Sequence, residues 1–245
     1  MQPADGIAAR DRAQQACAQL AGALMLGVIV LALGSGAVLS HISGNGTYAE
    51  TAARIAASER LYRVALSVML IVSLCSTLLA FALYVTLRPV HRLLAQLGLI
   101  FTLADSFLAL LVRMCSFVRL HLYLTATPLP PISHGDPLLE LMRTIAATTE
   151  NIGGISFGIG SCLFFYLFYK SSYIPRSISA LGVIASVLWT SLYFARLIVP
   201  ELHTWSQYLC FPPMALAEIA TGVYLVSFRL SKKDSSLRAP AAAGS

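Results

Sequence analysis

YRVALSVMLIVSLCSTLLAFALYVTL, residues Tyr62–Leu87, carries a single charge, Arg63, in 26 residues. A helix rises about 1.5 Å per residue, so this stretch is long enough to cross the ~30 Å hydrocarbon core of a bilayer. Five other stretches have the same character: Ala18–Leu39, Leu93–Leu122, Ile152–Tyr169, Ser177–Val199 and Tyr208–Leu230. Charged residues make up only 11% of the chain, hydrophobic ones 57%, and the mean hydropathy is +0.74. Soluble domains carry roughly a quarter charged residues, which excludes a water-soluble globule. The sequence therefore predicts an all-α, polytopic membrane protein with six spans over 18–230. A short segment, 1–17, precedes them, and a disordered tail, 231–245, follows. The six spans leave no length for a second folded domain.

The net charge of +6 lies mostly at the ends of the apolar runs. That distribution predicts orientation signals rather than a nucleic-acid surface. Arg10, Arg12, Arg88, Arg92, Lys170, Arg176, Arg229, Lys232, Lys233 and Arg238 fall on one side of the predicted spans. The other side carries Arg54, Arg60, Arg63, Arg119 and Arg143, offset by Glu50, Glu59, Asp136, Glu140 and Glu150. The positive-inside rule then puts both termini in the cytoplasm, as an even number of crossings allows. A cleaved signal peptide is the alternative for the first span. Its length, and Gly22, Gly27, Gly34 and Gly36 suited to close helix packing, favour retention.

The connections differ in length. Arg88-Pro89-Val90-His91-Arg92 and Tyr173-Ile174-Pro175-Arg176 each form a short proline-stopped link and predict antiparallel hairpins. On the other side, Ser43-Gly44-Asn45-Gly46 reads as a turn and Tyr48–Arg60 as a helix at the membrane surface. Residues 123–151 begin irregular, with Pro128, Pro130, Pro131 and Pro137, and regain helical character over Leu138–Thr148, as an extension of the fourth helix or a lid over it. Gly154 and Gly158, with Gly153 and Gly160, form a small-xxx-small pattern for close helix approach. Pro212 and Pro213 predict a kink near the start of the sixth span. Cys17, Cys75, Cys115, Cys162 and Cys210 sit in or at the edge of spans with no C-x-x-C spacing, and read as packing residues.

Ionisable groups inside spans are rare because each costs roughly 2.5–3.5 kcal/mol at mid-bilayer unless paired or wetted. Here Asp105 and Arg113 lie in the third span, Arg196 in the fifth and Glu218 in the sixth. Asp105 and Arg113 stand about 12 Å apart along one helix, too far for direct pairing. Glu218 is the expected partner of Arg113 by depth, and Glu150 that of Arg196 or Arg119. The sharp reading is a polar pocket in the outer half of the bundle, built on Asp105, Arg113, Arg196 and Glu218, with Glu150 and Asn151 near its mouth. The bland reading is a set of pairs that fix helix register.

His41, His121, His134 and His203 cluster toward one side, without the spacing of a metal site, so no metal or cofactor is expected. Asn45-Gly46-Thr47 is a glycosylation sequon, meaningful only in a eukaryotic host. Nucleotide-binding and serine-hydrolase motifs are absent from the sequence.

Leu83-Tyr-Val-Thr-Leu-Arg-Pro-Val-His-Arg92, with Phe101-Thr-Leu-Ala-Asp105, resembles the second hairpin of the bacterial membrane family called domain of unknown function 4386. Tyr169-Lys-Ser-Ser-Tyr-Ile-Pro-Arg176 resembles that family's turn between its fourth and fifth helices. The resemblance implies a compact bundle in a bacterial inner membrane and an acidic residue at the position of Asp105. It also implies a histidine in the fourth helix, where this chain instead reads Gly160-Ser-Cys-Leu-Phe164. No reaction comes with it. Three functions fit these readings: a protein binding or moving a small amphiphile or membrane lipid, a membrane-embedded enzyme with Asp105 or Glu218 as general acid, and a structural subunit.

Overall fold

The computed structural model describes residues 3–125, 137–199 and 203–227. In chain order the helices are α1 (Pro3–Ser43), α2 (Tyr48–Ala57), α3 (Glu59–Leu87), α4 (Arg92–Thr125), α5 (Pro137–Ser171), α6 (Arg176–Ile198) and α7 (His203–Ser227). All except α2 contain a run long and apolar enough to cross a membrane. There is no strand among the described residues. The all-α, six-span reading is therefore correct, and α1, α3, α4, α5, α6 and α7 are its spans.

The outward faces carry apolar side chains, as hydrocarbon requires and water does not. Val30 is 69% exposed, Ile184 67% and Ile198 81%. Small polar positions such as Ser73, Ser106, Ser179 and Ser186 are buried inside the bundle beside apolar ones. Many span hydroxyls donate back to the carbonyl four residues earlier, as Ser186 does to Gly182 (2.7 Å) and Thr86 to Ala82 (2.8 Å). A hydroxyl satisfied within its own helix can sit in a low-dielectric interior without needing a partner across the interface.

The helix ends are marked by local chemistry. Pro89 lies in the link from α3 to α4, and the Leu94 amide donates to His91 Nδ1 (3.3 Å) at the start of α4. At the end of α5, Ser172 takes a positive φ of 55° and its amide donates to the Phe168 carbonyl (3.0 Å). Pro175 then starts α6. Thr47 and Glu50 form a reciprocal capping box on α2, each side chain accepting from the other's amide.

One difference from the sequence reading has a clear cause. Helix over Tyr48–Arg60 was expected as one piece, but α2 stops at Ala57. Ser58 leaves helical geometry (φ −123°, ψ 29°), and its amide is shared between the Arg54 and Ile55 carbonyls. The break lets Ile55, fully buried, anchor α2 against Ile42, Tyr62, Leu66 and Leu120 at this end of the bundle. Residues 3–17, ahead of the first span, are helical as the beginning of α1. Leu138–Thr148 is the first part of α5, the helix-extension alternative of the sequence reading. The proline-rich 128–131 stretch and the 231–245 tail lie outside the described residues.

The six spans close into a ring. Each packs on the next in the order α1, α3, α4, α5, α6, α7, and α7 returns to α1. The backbones of α4 and α7 do not meet across it. Six crossings also place the start of α1 and the stop of α7 at the same end, opposite the end that carries α2. Near that shared terminal end, Ala18, Ala21, Leu83, Leu87, Phe164, Leu167, Phe168 and Leu225 form a buried core that fills the ring.

Close approach around α5 depends on its small face. A Cβ at Gly154 would strike the Tyr193 ring of α6, and one at Gly158 the Thr190 hydroxyl. Gly160 meets Thr102 of α4, and a Cβ at Gly153 would come within 3.2 Å of the Asp105 carboxyl. The small-xxx-small pattern thus serves two neighbours at once.

Candidate functional site

Between the terminal-end core and α2, the ring does not fill. It leaves a cavity of about 360 Å³, to which every span contributes. Met25, Ile29 and Leu33 of α1 and Leu79 of α3 form an apolar wall. The α5, α6 and α7 side is aromatic: Phe157, Trp189, Tyr193 and Phe211. Trp189 stacks on Tyr193 (centroids 5.1 Å apart, planes at 13°) and meets the Phe157 ring edge-on at 5.3 Å.

Asp105 on α4 and Glu218 on α7 both open into this space. The two helices stand on opposite sides of the ring, so the carboxyl groups confront each other across its axis and lie within electrostatic reach. Neither has a hydrogen-bond or ion-pair partner among the described residues. Arg113, two turns along α4 toward the α2 end, lines the cavity with Glu150 of α5.

Glu150, not Glu218, is the carboxylate that acts on Arg113, with Arg119 as a like charge nearby. The expected Arg113–Glu218 pair is therefore corrected. Helices α4 and α5 are ring neighbours, whereas α7 is opposite and presents Glu218 to Asp105. The Arg113 Nε is buried without a hydrogen-bond partner.

Two of the predicted pocket residues stand behind the wall. Arg196 is only 3% exposed and packs over the Tyr193 ring, its guanidinium carbon 4.4 Å from the centroid. It supports the aromatic wall rather than lining the cavity. Asn151 is half-buried beside Glu150, its side-chain oxygen buried without a hydrogen-bond partner, and it too is outside the lining. The aromatic residues were missed in the sequence. Trp189 and Tyr193, four apart on α6, share a helix face and were the available signal.

His41 and His121 are exposed, and no group of three potential metal ligands occurs among the described residues. His134 and the His203 side chain lie outside those residues. The five cysteines are free thiols.

Residues 20–228 match the model of a family described as Domain of unknown function (DUF4386). The chain belongs to this family. No curated protein and no solved structure matches it. The DUF4386 match runs from α1 into the end of α7 and so takes in every residue of the cavity wall. Where the resemblance implies a histidine in the fourth span, this DUF4386 chain has packing residues. Gly160 seats Thr102, and Ser161 and Phe164 are buried.

Proposed function

We propose that this protein binds a small amphiphile or lipid head group within the axial cavity of a bacterial inner membrane protein whose termini are cytoplasmic. The carrying observation is the unpartnered carboxyl pair, Asp105 and Glu218, facing each other in a space lined mostly by apolar and aromatic side chains. A cavity of about 360 Å³ falls at the small end of the usual ~300–1,000 Å³ range for small-molecule sites. Two carboxyl groups without internal partners fit a ligand end that donates hydrogen bonds or carries positive charge. The Trp189, Tyr193 and Phe157 faces fit cationic or apolar groups next to it. Arg113 and Glu150 add a second polar station toward the α2 end. The filled core at the terminal end supports binding with access from one side over an open conduit.

The test is extraction in mild detergent followed by mass spectrometry of co-purifying lipids. Wild type should retain an amphiphile that Asp105→Asn and Glu218→Gln lose by tenfold or more. Equal or empty preparations in all three would end the proposal.

One observation favours a second reading, an enzyme with Asp105 or Glu218 as general acid: neither carboxyl is paired with arginine. Incubating the wild type with membrane lipid extract separates the two. Recovery of the bound species unchanged supports binding alone, and its conversion, absent in Asp105→Asn, supports catalysis.

A further inference from the structure

Of the residues lining the cavity, Leu33 on α1 and Phe211 on α7 are the apolar ones that also face outward, 51% and 45% exposed. They stand on neighbouring helices that meet tightly toward the terminal end. There a Cβ at Gly22 would fall 2.8 Å from the Gly222 carbonyl, and Ala18, Ala21 and Met25 share a core with Leu225. Toward the α2 end their buried side chains turn to different neighbours. Val38, Leu39 and Ile42 of α1 pack with α2, α3 and α4, while Met214 and Ala217 of α7 pack with α5 and α6. Pro212 and Pro213 follow Phe211 directly inside α7. Lacking amide protons, they leave the carbonyls of Tyr208 and Leu209 without helical donors, so α7 is weakest beside Phe211.

We propose that α1 and α7 form a lateral portal between Leu33 and Phe211, through which the alkyl chain of a bound amphiphile runs from the cavity into the bilayer. This deepens the binding reading above and rests on it. The polar end sits inside, among Asp105, Glu218 and Arg113. The cavity has room for a head group and a few methylenes, so a long chain has to leave it, and the α1–α7 portal leads into hydrocarbon of the same polarity. The occupant is a single- or double-chain lipid or long-chain amine with a donor-bearing head, held head inward. A wholly water-soluble metabolite has no need of such an exit.

The experiment closes the portal and compares two probes. Leu33→Cys and Phe211→Cys are placed in a chain with its five cysteines changed to alanine and Trp205→Phe, leaving Trp189 as the reporter in the cavity wall. A two-armed maleimide bridges the pair, and a one-armed maleimide on the same chain is the folding control. Binding of butylamine and of dodecylamine is read by Trp189 fluorescence. The bridged protein should bind butylamine within about threefold of the control and dodecylamine at least tenfold more weakly. Equal binding of dodecylamine before and after bridging, or loss of both probes, overturns the portal. Failure of both probes to bind the unbridged chain defeats the binding reading itself, so the two failures are distinguishable.

Discussion

Asp105 and Glu218 decide between a pinned bundle and a prepared site. A register-fixing charge is paired, and removing it strands its partner at a cost of several kcal/mol. These two carboxyls have no such partner, so Asp105→Asn and Glu218→Gln should leave the thermal midpoint in detergent unchanged or raised while weakening ligand retention. A drop equivalent to more than about 2 kcal/mol would mean that the groups hold the fold. Gly153 acts on the same site indirectly. Its missing side chain makes room for the Asp105 carboxyl, so Gly153→Ala should reduce ligand retention with little change in helix content by circular dichroism. Gly182, by contrast, accepts the Phe165 ring of α5. Gly182→Ala should cost about 1–3 kcal/mol of stability through overpacking, measurable as a lower thermal midpoint.

Among elements, α5 and α2 do distinct jobs. Helix α5 lies between α4 and α6 and sets their spacing with glycine, which in turn sets the distance from Asp105 to the aromatic wall. Helix α2 closes one end through Ile55 and is held by few polar contacts. The Arg54 guanidinium donates to the Ser43 carbonyl (2.8 Å), and Thr47 accepts from the Glu50 amide (3.4 Å). Thr47→Ala removes that cap and should weaken α2 by about 1 kcal/mol. Hydrogen exchange should then accelerate across residues 48–57 and not across α3.

The whole molecule is a ring of six helices whose middle is filled at one end and open inside at the other. In the proposed orientation the basic residues at the terminal end, including Arg88, Arg92, Lys170 and Arg176, face the cytoplasm. Cysteine introduced at Asn45, on the α1–α2 turn, should therefore react with an impermeant maleimide added to intact cells. Cysteine at Ser172, on the α5–α6 turn, should react only after lysis. The native cysteines are replaced in both variants, and the reverse labelling pattern would invert the topology.

Sequence alone determined the class of molecule. Apolar runs of bilayer length, short proline-stopped links and the small face of Gly154 and Gly158 are local signals, and each became the element it predicted. It also singled out Asp105, Arg113 and Glu218, because a charge in oil is conspicuous at any position. Only the tertiary structure decided who faces whom. Ring order made α4 and α7 opposite and α4 and α5 adjacent, which set Asp105 against Glu218 and gave Arg113 to Glu150. The same closure moved Arg196 behind Tyr193 and brought Trp189 and Phe211 into the wall, since in hydrocarbon an aromatic side chain looks alike from sequence whether it faces lipid or a cavity.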